Sequence, residues 1–221
     1  MFHAELQDTE VESPMDVWRI VAEWPQVDAK QQHQWTQYIR FASDLTEEDV
    51  PALIQLYKML ATSEEALRRI GEEAILTALT RVASPRAIPL FREVLFDPAV
   101  DSASPPAEIV FALGEITRVS NAADGYALLE ACLAHPHVDV RDMATTALVR
   151  AYQHNGRPVP ERVVRTLYTL MEGDGTRRVR FSAGLALQEL GELDLIDVIF
   201  WSEEMAGWEE HPYFDLEDDL Y

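Results

Sequence analysis

Residues 135–152 read HPHVDVRDMATTALVRAY, and this stretch decides the fold. Val140, Ala144, Ala147, Leu148, Ala151 and Tyr152 fall at i, i+4, i+7, i+8, i+11 and i+12, one face of a 3.6-residue period, so a turn leads into an amphipathic helix. The frame then returns. Val179-Arg180, Ala183 and Ala186-Leu187 stand 39 residues beyond Val140-Arg141, Ala144 and Ala147-Leu148. The Ala-Leu pair also recurs upstream as Ala112-Leu113 and Ala78-Leu79, giving steps of 34, 35 and 39 residues between successive alanines. Self-similarity at a period of 20–50 residues is the mark of stacked supersecondary units, none of which buries its apolar face alone.

Punctuation on either side supports helical hairpins. Ser13-Pro14 predicts a helix start, with Val17, Trp18, Ile20, Val21 and Trp24 carried before Pro25 stops it. A second helix over 28–42 turns Trp35, Tyr38, Ile39 and Ala42 inward. Thr46 opens a helix through Leu60 with acids in its first turn, where they favour the helix dipole. Ser63 starts the next, with Leu67, Ile70, Ala74, Ala78 and Leu79 as its expected core stripe. Ile88, Phe91, Val94 and Leu95 define a short helix, and the Pro- and Ser-rich loop 97–106 separates it from Ile109, Ala112, Leu113 and Ile116. Helices over 122–134, 138–153, 160–172 and 176–190 follow, the first of them carrying Cys132 in its core stripe and the last ended by Gly191. No segment reads as a strand. The expected architecture is an all-α α-solenoid of about five stacked antiparallel helical hairpins. It comprises an N-terminal arm and atypical capping hairpin at 1–45, a repeat array at 46–200 and an acidic aromatic tail or cap at 201–221.

Composition limits the function classes. The formal charge is −21, with 39 acids against 18 Lys and Arg. Nucleic acid and anionic membranes are therefore disfavoured as ligands, because both are bound by clustered Lys and Arg. The acidic start MFHAELQDTEVE has no apolar segment of a secretory signal, and Cys132 is the one cysteine, so a soluble, cytoplasmic, reducing setting is expected. Charge is segregated: residues 141–180 hold eight arginines and four acids, whereas residues 181–221 hold twelve acids and no Lys or Arg.

The turn and helix start His135-Pro136-His137-Val138-Asp139-Val140-Arg141, with Ala144, Ala147 and Leu148, resemble HEAT repeats, especially the short bacterial type also found in phycobilisome lyases. Upstream copies are fainter, with Glu72 and Pro106 where the arginine would stand. The resemblance implies an α-α superhelix and a scaffold or adaptor function, although fold alone does not give function. It also implies that Arg141 and Arg180 form a structural ladder between adjacent turns. HEAT-like di-iron hydroxylases use His-Glu dipeptides, and none of the six histidines here precedes a glutamate.

Cys132-x-x-His135-x-His137 brings metal-ligand types together, with His154 the sole nearby fourth candidate. Comparison with the repeat copies makes Cys132 a buried core thiol and the histidines part of a turn, so no metal and no cofactor are expected. There is no Gly-rich phosphate loop and no G-x-S-x-G turn, and the chain reads as a non-enzyme. Partner binding is assigned to Arg162 and Arg165, which lie i, i+3 beside the apolar stripe of 160–172. From the resemblance, that helix lines the concave surface, where the two would grip a partner's carboxylates. Trp208, Tyr213 and Phe214, aromatics set among acids in the tail, are the other candidates, with Trp201 as a cap. The expected partner is a protein with a basic surface. Two alternatives stand beside the adaptor: an acidic inhibitor or immunity-type protein occupying the basic cleft of a nuclease or toxin, and a phycobilin-lyase-like pigment chaperone.

Overall fold

The computed structural model describes residues 16–98, 100 and 102–194. Among these the regular structure is entirely helical, with ten α-helices, three short 3₁₀ turns and no strand. No helix is long and apolar enough to cross a membrane. The chain divides into two compact units, Met1–Val82 and Ala83–Tyr221. The residue 45/46 boundary drawn from sequence falls inside the first of these.

The first unit holds α1 (Val17–Glu23), α2 (Ala29–Phe41), α3 (Val50–Leu60) and α4 (Glu65–Val82). Asp16 caps α1, its carboxylate accepting from the Trp18 N–H at 2.9 Å, so the described start lies three residues beyond Ser13. Asp28 caps α2 in the same way through the Gln31 N–H. Thr46 and Asp49 form a reciprocal capping box on a 3₁₀ turn that leads into α3. α1 packs on α3, while α2 and α3 both pack on α4. Ile20, Ile39, Leu53, Leu56, Leu60, Ile75 and Leu79 are fully buried between them.

The stripe of α4 differs from the expected one. Leu67 and Ile70 are half-buried, and the buried face begins at Gly71 and Glu72. Glu72 is 1% exposed, and it accepts from Arg68 Nε at 2.9 Å and from the Tyr57 hydroxyl at 3.2 Å. The residue that reads as a degenerate repeat position is thus a buried charge with assigned partners, which is how buried carboxylates are tolerated.

The second unit holds α5 (Ile88–Phe96), α6 (Pro106–Ser120), α7 (Ala123–Cys132), α8 (Val138–His154), α9 (Glu161–Gly173) and α10 (Arg177–Glu189). Consecutive pairs α5–α6, α7–α8 and α9–α10 pack together. α8 is the central element, touching α6 on one side, α10 on the other and α7 beneath. α5 and α7 meet more sparsely, so α6, α8 and α10 form the tighter of two layers. Leu113, Leu128, Leu129, Val140, Leu148, Leu167 and Leu187 fill the space between the layers.

Small residues set the close approaches. Ala147 belongs by period to the core face of α8; it is half-buried and faces Gly114 of α6, where an added Cβ would come within 2.7 Å of its own. A Cβ on Gly125 of α7 would meet Thr117 Oγ1 at 2.2 Å and Thr117 Cβ at 3.0 Å. Thr117 is fully buried and donates to the Leu113 carbonyl at 2.7 Å, so it has nowhere to move. Gly125→Ala gains helix propensity of about 1 kcal/mol yet forces overpacking of about 1–3 kcal/mol. The expected outcome in urea unfolding is net destabilisation; a net gain would show that α6 and α7 are not held this closely.

Candidate functional site

The arginine-rich segment 141–180 is the strongest charge feature of the chain, and the structure assigns most of it to internal work. Arg141, one turn into α8, sends Nε and Nη2 to the two Asp174 carboxylate oxygens at 2.7 and 3.0 Å. Its Nη1 donates to the carbonyls of His135 and Pro136 at 2.8 and 2.9 Å. Arg180 repeats the local half of this pattern on α10, donating to the Asp174 carbonyl at 2.6 Å, again six residues back. Arg141 therefore ties its own turn to the α9–α10 turn, while Arg180 braces the turn that precedes it. Burial alone would push the Asp174 carboxyl up, but the Arg141 fork and the Thr176 amide outweigh it and hold it below the usual carboxylate range. Asp139 and Asp142 of α8 hold Arg178 of α10, the latter at 2.8 Å, and Ser182 donates to Asp142 at 2.5 Å.

Arg157 lies over the Tyr126 ring at 4.6 Å from its centroid and donates to Asn121 Oδ1 at 3.1 Å. Asn121 can fill the left-handed position (φ 53°) that ends α6 because its short polar side chain tolerates it. The Tyr126 and Tyr152 rings pack against each other tilted by 40°, with centroids 4.5 Å apart, and the Tyr152 hydroxyl donates to Glu130 at 3.0 Å. Burial, then that carboxylate, pushes the Tyr152 phenol up to about 12, so it is a fixed donor rather than an acid–base group.

Arg162 and Arg165 lie on α9, in the layer opposite α6, α8 and α10. The Arg162 side chain is exposed, but its guanidinium forks onto Glu130 of α7 at 3.0 and 2.8 Å. Arg165 is exposed and stands 3.7 Å from Glu161, one turn away on its own helix. Trp208, Tyr213, Phe214 and Trp201 lie outside the described residues, as does Ser13.

Cys132, His135 and His137 are each committed elsewhere. The Cys132 side chain is fully buried, and burial pushes its thiol up to about 12 against a weaker opposing pull from Arg92. His135 Nε2 bonds the Leu95 carbonyl at 2.8 Å, while its Nδ1 accepts from the His137 N–H at 3.0 Å. His137 Nδ1 caps α8 by accepting from the Asp139 N–H at 3.2 Å. Among the described residues no group of three or more His, Cys, Asp or Glu is placed to hold a metal ion.

Within the Ala83–Tyr221 unit, exposed apolar and basic side chains also lie on the outward side of α6, α8 and α10. Phe111 of α6 is 50% exposed, on the face opposite its buried stripe Ile109, Leu113 and Ile116, and Val119 near the helix end is 56% exposed. Met143, Thr146 and Arg150 occupy the corresponding side of α8, and Leu185 follows on α10. Arg150 is exposed and makes no hydrogen bond or ion pair with any described residue. Sequence reasoning passed over Phe111 and grouped Arg150 with its neighbours. The signal was present in the register, since Phe111, Thr146 and Leu185 are separated by the same 35- and 39-residue steps as the alanines.

Compared with known proteins, the chain matches no protein-family model, no curated protein and no solved structure.

Proposed function

We propose that this chain is a non-catalytic, HEAT-like helical-repeat adaptor that binds a protein partner. In this reading the helical pairs are units of an α-solenoid, and the tighter layer, α6, α8 and α10, is its inner, concave side. The observation that carries the proposal is the outward face of that layer. There Phe111 and Val119 of α6 leave apolar surface in water, and the corresponding side of α8 carries an exposed guanidinium, Arg150, that makes no hydrogen bond or ion pair with any described residue. Elsewhere in the segment, Arg141, Arg162, Arg178 and Arg180 are spent on internal bonds. The candidate surface thus moves from Arg162 and Arg165 on α9 to Phe111, Met143, Arg150 and Leu185. A fitting partner presents an apolar side chain to Phe111 and a carboxylate to Arg150, on a surface otherwise basic enough to tolerate a chain of charge −21.

Phe111→Asp with Arg150→Glu tests this directly, because both positions are exposed and the fold should be unaffected. Affinity isolation from the native source, after cross-linking, is expected to return a specific partner with the parent chain and at least about tenfold less with the double variant. An identical recovery with both chains, or no specific partner with either, contradicts the proposal.

A further inference from the structure

An open cavity of about 550 Å³ lies within the Met1–Val82 unit, between the α1–α2 connection and the turn from α3 to α4. That volume falls in the range of about 300–1,000 Å³ found for small-molecule sites. Trp24, Pro25, Met59 and Leu67 form its apolar wall. Leu67 belongs by period to the core stripe of α4, yet it and Met59 are only half-buried. The apolar area they leave in water is what an apolar group entering the cavity would cover.

The polar groups of the lining are Gln32, Thr62, Ser63 and Glu64, and Glu64 is the one charged side chain among the described residues that line it. Two of their donors are turned back on the backbone. Gln32 Nε2 donates to the Trp24 carbonyl at 2.9 Å, and the Thr62 hydroxyl to the Met59 carbonyl at 3.1 Å. Acceptors are left in surplus: Gln32 Oε1, the Ser63 hydroxyl oxygen and the Glu64 carboxylate make no hydrogen bond or ion pair with any described residue. Lys30, next to Ala29 on the α2 side of the cavity, forms no ion pair with Glu64. The surrounding field has the same sign, since residues 16–82 hold eleven acids against seven Lys and Arg.

We propose that this cavity is a binding site for a small amphiphilic amine, an aromatic or short alkyl group ending in an ammonium. The apolar part lies against Met59 and Leu67, and the ammonium, which can only donate, meets the Glu64 carboxylate and the neighbouring acceptors. A ligand carrying a carboxylate meets like charge at Glu64. A neutral ligand of the same shape gains the apolar contact alone.

Phenethylammonium, 2-phenylethanol and phenylacetate share one ring and differ in the charge of the end group. The test titrates each into the full chain and follows the methyl resonances of Met59 and Leu67. Phenethylammonium is expected to shift both saturably, with a Kd on the order of 1 mM, as suits so small a ligand. 2-Phenylethanol is expected to bind at least about fivefold more weakly, and phenylacetate not at all. Glu64→Gln, at an exposed side chain with no described partner, should equalise the amine and the alcohol without moving the unfolding midpoint. N-acetyl-lysine methylamide, which offers the ammonium of a peptide lysine without the ring, is expected to bind at least about fivefold more weakly than phenethylammonium. Tighter binding of that probe would assign the cavity to a protein segment and overturn the proposal. So would the absence of saturable shifts at Met59 and Leu67, equal binding of amine and alcohol by the parent, or a preference that survives Glu64→Gln. The probe series on the parent decides the matter even if the variant does not fold.

Discussion

Arg141→Ala lowers the stability of the Ala83–Tyr221 unit by about 3 kcal/mol, the usual cost of removing one partner from a buried ion pair. The side chains involved are 16% exposed for Arg141 and 6% for Asp174, so the carboxylate left behind has little water to turn to. The same deletion strips the His135 and Pro136 carbonyls of their donor. Arg141→Lys recovers little of the loss, because an ammonium cannot span two carboxylate oxygens and two carbonyls at once. Urea unfolding of the two variants, with Asp174→Asn completing a double-mutant cycle, measures the coupling. Coupling near zero would show that the turns are held by apolar packing alone.

The same pair gives stability a pH dependence of known sign. The folded Asp174 carboxyl titrates below its unfolded value of about 3.9. Its contribution is therefore fully present above that value and is lost as pH falls through the folded one. Asp174→Asn flattens this acid limb while lowering stability at neutral pH. A variant that unfolds in acid as steeply as the parent would contradict the assignment.

Glu72→Ala is the second large effect, a loss of about 3 kcal/mol from the Met1–Val82 unit. The carboxylate joins Arg68 at 2.9 Å and the Tyr57 hydroxyl at 3.2 Å in the contact between α3 and α4. Removing it leaves a mostly buried guanidinium facing an apolar core. Replacing both charges at once, Arg68→Met with Glu72→Met, is expected to recover most of that loss, since an apolar pair of similar volume needs no solvent. Trp24 and Trp35, 6.2 Å apart in this unit, provide the fluorescence signal. A double variant as unstable as Glu72→Ala would show that the site requires its charges.

These residues mark the line between what periodicity reveals and what it hides. The helices and most of their buried faces follow from the 3.6-residue stripe, and the shared register of Arg141 and Arg180 is visible by aligning repeats. Their local bonds depend only on the turn six residues back, and so travel with the repeat. Glu72 was illegible because its position in the repeat is that of an arginine, and its burial depends on how α3 closes over α4. The Arg162–Glu130 fork joins residues 32 apart on neighbouring pairs, a contact that no local pattern encodes. An exposed basic pair on a helix therefore looked available when one member was already engaged. Phe111 was hidden for the opposite reason: an aromatic in an apolar helix reads as core until the packing turns it outward.

In the proposed reading, the outward face of α6, α8 and α10 is where a protein partner docks. Hydrogen–deuterium exchange on the complex with the partner recovered from the native source tests it most directly. New protection is expected over residues 108–119, 143–153 and 182–189, with α9 unchanged. Protection centred on α9, or none over these three helices, would contradict it.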